Sequence, residues 1–116
     1  MFGTSKIQNQ MENSSNTIHI LPVDNIIEIG IDDQERLFIR PERQTFEYIW
    51  RAAAEVGWDN KEKYLFSPKP REWNYFMWYR HIIDIAKDEY GCMLNWTDKT
   101  KWTNISDDFK NQIIAT

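Results

Sequence analysis

The feature that most constrains this chain is the stretch PREWNYFMWYRHIIDIAKDEYG, residues 70–91. Apolar side chains at Phe76, Tyr79, Ile83, Ala86 and Tyr90 recur at helical spacing, and Tyr75, Trp78, Ile82 and Ile85 form a second row beside them. The pattern predicts one long helix from Pro70 or Arg71 to Gly91. Asn74, His81, Asp84 and Asp88 form its narrow polar stripe, broken by Met77. A helix apolar over most of its circumference has to be buried on two sides. A small sheet covers one side. More of the same chain, or a second copy of it, has to cover the other.

The remaining pattern supplies that sheet. Ile27, Ile29 and Ile31 alternate within residues 25–32, and Leu37 and Ile39 alternate within residues 36–40, so a β-hairpin is expected. A two-residue loop would set Ile29 opposite Phe38. An odd loop of three or five residues sets Ile29 opposite Leu37 and Ile27 opposite Ile39, keeping the apolar faces together, and is the expected one. No Asn-Gly or Asp-Gly stands at the turn, which agrees. Pro41 suits the first position of a helix running to Val56, with Phe46, Ile49, Trp50, Ala53 and Val56 as its apolar stripe. Glu47, Arg51 and Glu55 lie on its other side, and Gly57 is the expected stop. Tyr64–Phe66, Cys92–Trp96 and Lys101–Thr103 read as short strands. Ser106 caps a last helix with Asp107 and Asp108 in its first turn and Phe109 and Ile113 facing inward. Residues 1–17, rich in Ser, Asn, Gln and Thr, read as a flexible arm, and Ile18–Leu21 as a short strand. The expected architecture is a two-layer α+β domain over residues 18–116, of order ββαβαβ(β)α, with a mainly antiparallel sheet under two main helices.

Composition sets the functional bounds. With 116 residues the chain is long enough for one domain with its own core. A net charge of −4 disfavours non-specific nucleic-acid binding. Cys92 is the single cysteine, so no intramolecular disulfide and no cysteine-based zinc site can form; a buried, inert thiol is expected. No secretory signal or membrane-spanning apolar run is read, so the expected location is the cytoplasm, and the Asn-x-Ser/Thr triplets at Asn13, Asn95 and Asn104 carry no weight.

Nothing in the sequence specifies a reaction. His81 and Asp84 stand three apart, with Asp88 a turn beyond, but their place on a polar stripe already explains them. No nucleophilic triad and no Gly-rich phosphate loop is visible, so no catalytic residue, cofactor or metal is assigned. The six tryptophans are the chemical feature that stands out. Trp50, Trp58, Arg71, Trp73, Tyr75, Trp78, Tyr79 and Arg80 form the candidate binding set, mixing aromatic and basic side chains. Its expected ligand is a protein surface or a small apolar molecule.

Two stretches, IRPERQTFEYIWRAAAEVGWD at 39–59 and SPKPREWNYFMWYRHIIDIAKDEYG at 67–91, together resemble a small family of bacterial proteins encoded on integron gene cassettes. The resemblance implies a small cytoplasmic α+β protein carried by a mobile element, with no assigned activity and no catalytic residues to transfer. The reading that follows is a non-enzymatic binding or adaptor protein that forms a homodimer through the long helix or its aromatic flank. Two other classes compete with it. One is a small enzyme whose pocket is lined by Trp50, Trp58, Trp78 and carboxylates. The other is an inhibitor or immunity-type protein.

Overall fold

The computed structural model describes residues 22–116. Its elements are β1 (Val23–Ile31), β2 (Leu37–Pro41), β3 (Gly57–Asp59), β4 (Tyr64–Phe66), α1 (Tyr75–Tyr90), β5 (Met93–Thr103) and α2 (Asp107–Ile114). Among the described residues the strands form one sheet of order β3-β4-β2-β1-β5. Three of its pairings are antiparallel, and β5 joins β1 in parallel. The α+β class is as expected, and the sheet is mixed. The arm expected at 1–17 and the strand expected at Ile18–Leu21 lie outside the described residues.

The hairpin closes through the odd loop that the alternation requires, but two residues away from the expected register. Ile29 faces Ile39 and Ile31 faces Leu37, across the five-residue loop Asp32–Arg36. Asp32 fixes that loop: one carboxylate oxygen accepts the backbone N–H groups of Gln34 and Arg36, and the other accepts Arg36 Nε–H at 2.8 Å. A longer loop costs little closure entropy, so local hydrogen bonding decides its length. The simple alternation also fails at Ile27. A bulge between Ile26 and Glu28 turns Ile26 inward and leaves Ile27 on the surface.

The helix expected from Pro41 to Val56 does not form. Pro41 ends β2, opposite Ile26, and the chain then runs through tight turns with only a 3₁₀ segment at Ile49–Arg51. Most of its hydrogen bonds span three residues, joining Ile49 N–H to Phe46 O, Arg51 N–H to Tyr48 O, Ala52 N–H to Ile49 O and Val56 N–H to Ala53 O, with one four-residue bond from Ala53 N–H to Ile49 O. Asp24 competes for the entry to this segment, because its Oδ2 accepts the N–H groups of Arg43 and Gln44 at 3.0 and 2.7 Å. At the far end Glu55 has a left-handed φ of 69°. Phe46, Ile49, Ala53 and Val56 are still buried, as the stripe implied, while Trp50 is not.

Gly57, expected as a helix stop, instead opens β3 opposite Phe66. A Cβ at Gly57 would lie 2.4 Å from the Phe66 ring, and one at Gly30 would lie 2.4 Å from the Phe38 ring. Each glycine lets a cross-strand phenylalanine lie flat over its backbone. These rings belong to the outer face of the sheet, where Phe38 stacks on Tyr64 at 4.6 Å. Arg36 lies over Phe66, and Arg40, bonded to Glu28 and to the carbonyl of Glu62, lies over Tyr64. The inner face carries Ile26, Ile29, Leu37, Ile39 and Leu65 against Phe46, Ile49, Ile82 and Ile113.

Helix α1 starts at Tyr75, later than expected, because the Asn74 side chain caps it by accepting Met77 N–H at 2.9 Å. Gly91 ends it in the left-handed region, its N–H bonded to Lys87 O, with Cys92 N–H reaching Ala86 O. Trp78, Tyr79, Ile82 and Ala86 are buried, and full burial of a side chain such as Ile82 contributes about 2–3 kcal/mol. The two strands expected at 92–96 and 101–103 are one strand, β5, interrupted where Trp96 and Lys101 face the bulge of β1. Thr100 Oγ1 secures the looped-out residues, accepting Thr97 N–H and donating to Ile26 O at 2.6 Å. Helix α2 is capped by Ser106 and buries Phe109 and Ile113, as expected.

Candidate aromatic cleft

The late start of α1 creates a concavity at its N-terminal flank. Trp73 precedes the cap, outside the helix, and folds back along it. Its ring lies 4.7 Å from Trp78 and 5.2 Å, edge to face, from His81. Trp78 and His81 are 6.0 Å apart, so the three rings form one continuous wall. The turns of 52–55 lie across from it. Between them is a cleft of about 590 Å³ lined by Ala52, Ala53, Ala54, Glu55, Lys69, Arg71, Glu72, Trp73, Trp78 and His81. Arg71 bonds Glu55 at 3.1 Å on its rim, and Lys69 pairs with Glu35 at 3.3 Å. The proline-bounded segment Ser67–Pro70 delivers these cations to the rim, since prolines exclude helix there. Trp78 is only 8% exposed, and its indole N–H is buried with no acceptor among the described residues.

The structure brings Arg71, Trp73 and Trp78 of the candidate set together in this cleft. The others lie elsewhere. Trp50 is 59% exposed on the 3₁₀ turn beside Arg51. Trp58 packs on Phe46. Tyr75 stacks on Phe109 and donates its hydroxyl to Glu35 O at 2.9 Å. Tyr79 is buried in the core, where burial pushes its phenol up to about 12. Arg80 is exposed over Phe76. His81, expected on the solvent stripe, is half-buried because Trp73 covers its turn. Sequence reasoning left Ala52–Ala54, Lys69, Glu72 and His81 out of the site. Three consecutive alanines beside a glutamate were a usable signal, because small side chains leave room for a ligand, but the helical reading put Ala53 on its apolar stripe and gave Ala52 and Ala54 no role.

Two further groups have chemistry of their own. Cys92 is buried, and burial, with Asp24 nearby, raises its thiol above the ordinary value, which keeps it in the unreactive form. Among the described residues no group of His, Cys, Asp and Glu side chains has the geometry to hold a metal ion. No helix among them is long and apolar enough to cross a membrane.

The fold and cleft define a small α+β protein with an aromatic pocket built on a helix N-terminal flank. Comparison with known families gives its lineage. The model of the family described as "Integron Cassette Protein Hfx_Cass5" matches residues 24–100, and the chain belongs to that family. It is 33% identical to a solved structure, "Structure from the mobile metagenome of North West Arm Sewage Outfall: Integron Cassette Protein Hfx_Cass5". That match covers 79% of this chain and 92% of the other, with a TM-score of 0.40. No curated protein matches. The resemblance carried by residues 39–59 and 67–91 therefore identified the family.

Proposed function

We propose that this integron cassette protein is a non-enzymatic binding protein and that the cleft beside Trp73, Trp78 and His81 takes a small, partly apolar ligand. The observation that carries the reading is the continuous three-ring wall facing an alanine-lined space of about 590 Å³. That volume lies within the usual range of ligand pockets, roughly 300–1,000 Å³, and apolar walls with a few polar groups at the rim are their common make-up. An enzyme at the same place would have His81, Glu55 and Glu72 to work with, and Glu55 and Glu72 are exposed while His81 is packed edge to face against Trp73 and Trp78 as part of the wall. A fragment screen followed by nitrogen–proton correlation spectra tests the reading. Aromatic fragments are expected to shift the Trp73 and Trp78 indole signals and the amides of 52–55, and Trp73→Ala should abolish those shifts. Hits that leave these signals still, or fail to respond to Trp73→Ala, would end it.

The chain is also proposed to pair with a second copy. The rows of α1 that suggested this are largely covered within one chain, Tyr75 by Phe109 and Trp78 by Trp73. The support comes instead from exposed Val23, Ile27 and Met93 on β1 and β5.

A further inference from the structure

We infer that the cleft recognises an organic cation, an alkylated ammonium group on a small molecule. This rests on the reading of the cleft as a ligand site and adds the charge of the ligand. Aromatic ring faces attract cations, and an alkylated ammonium gives up its thin hydration cheaply to sit against such a wall. The cleft offers three rings on one side and methyl groups on the other; its two carboxylates, Glu55 and Glu72, are exposed and, among the described residues, belong to no group that could replace the water shell of a small, strongly hydrated ion.

The rim charges point the same way. Arg71 and Lys69 would repel a cation if they were free, but each already holds a carboxylate, Glu55 at 3.1 Å and Glu35 at 3.3 Å. Glu72 lines the cleft and makes no ion pair among the described residues. The uncompensated charge at the opening is therefore negative, within a chain of net charge −4. The opposite ligand, an anion held by Arg71 and the Trp78 indole N–H, meets two obstacles. Arg71 would have to leave Glu55, and the indole N–H is buried away from the open space.

Three probes of nearly equal shape separate the cases: choline, 3,3-dimethyl-1-butanol and 3,3-dimethylbutanoate, respectively cationic, neutral and anionic. Each is titrated into the full chain while the Trp73 and Trp78 indole signals are followed. Choline is expected to bind about tenfold tighter than the neutral alcohol, the size of a cation–ring contribution. Glu72→Gln, an exposed and isosteric change, should reduce that ratio, and Trp73→Leu should remove choline binding. Equal affinity for choline and the alcohol overturns the cation inference and leaves the apolar cleft standing as a ligand site. Tightest binding of the anion overturns it in favour of Arg71 and Lys69. Absence of any response to all three overturns it as well, and the fragment screen then decides separately whether the cleft binds at all.

Discussion

Asp24 is 4% exposed, and its Oδ2 accepts two backbone N–H groups from the chain that follows β2. In sequence it stands just before the strand expected at 25–32, and nothing in its neighbours marks it as buried. Its role follows from distance: it starts the turns of 42–56 in place of a helix. Asp24→Ala leaves both donors without an acceptor and should cost about 3 kcal/mol, while Asp24→Asn keeps one oxygen and should cost about 1 kcal/mol. Urea midpoints of the two variants check the order. Tyr79 sits in the core with its phenol pushed from 10.0 to about 12 by burial, with Arg80 opposing. The unfolded chain therefore loses this proton first. Its contribution is complete below pH 10 and falls away as pH rises from about 10 towards 12, by roughly 2–3 kcal/mol in all. Tyr64 and Tyr75 are raised as well, chiefly by burial, and add to the same loss. Unfolding midpoints at pH 8 and 11 should diverge less in Tyr79→Phe than in the parent; an equal alkaline loss in both would refute the assignment.

At the scale of elements, what could be read from the sequence depended on whether local signals and tertiary contacts agreed. Helix α1 and helix α2 have side-chain caps and apolar faces in register, and both were legible, although the Asn74 cap moved the start of α1 past Trp73. The hairpin was legible in its faces except at Ile27, which the bulge turns outward, and not in its register, because the Asp32 loop set the length. Residues 41–56 were misread, since Phe46, Ile49, Ala53 and Val56 keep helical spacing while folding through successive 3₁₀-type turns. Burial periodicity reports which side chains face inward and does not by itself report the backbone that carries them. Glu55 distinguishes the two backbones. In a helix, Glu55→Gly would cost about 1 kcal/mol. At a φ of 69° the same change relieves the strain of a left-handed side chain and should stabilise by up to about 1 kcal/mol, less the exposed Arg71 contact. A rise or no change in melting temperature supports the turn structure, and a clear fall supports the helix. The cleft inherits this difference, because its alanine wall belongs to the turns and its ring wall to α1. The rings were visible in the sequence as aromatic richness; their grouping was not, because it required the turns of 52–55 to come back across Trp73.

The whole molecule was legible as a class, an α+β domain of an integron cassette family, because strand alternation, helix spacing and the two matching stretches all survive without knowledge of contacts. The order of its sheet was not, since β5 reaches β1 in parallel across some 60 residues of intervening chain, and long-range pairing leaves no local mark. That pairing also determines what the molecule shows to a second copy. The expectation of a dimer began from two apolar rows on α1, yet Trp78, Tyr79, Ile82 and Ala86 are buried within one chain. Three exposed apolar residues instead meet where β1 and β5 run together: Val23 and Met93 are register partners, 47% and 37% exposed, and Ile27, lifted out by the bulge, is 42% exposed. Tyr48, Trp50, Met77 and Ile114 are exposed elsewhere on the molecule. Strand β5 is also the sheet edge among the described residues, where a second copy can pack without displacing anything described. Two-fold pairing is the commonest way for such a strip to meet itself, and it buries the same residues twice. Sedimentation at micromolar concentration should then give twice the chain mass of 14.0 kDa. Val23→Lys combined with Met93→Lys should return the protein to one chain mass, with little change in stability because a lysine stem can cover the same surface while its ammonium reaches solvent. A single-chain mass for the parent protein at every concentration would end the dimer proposal. A dimer unaffected by the two lysines would move its interface away from β1 and β5.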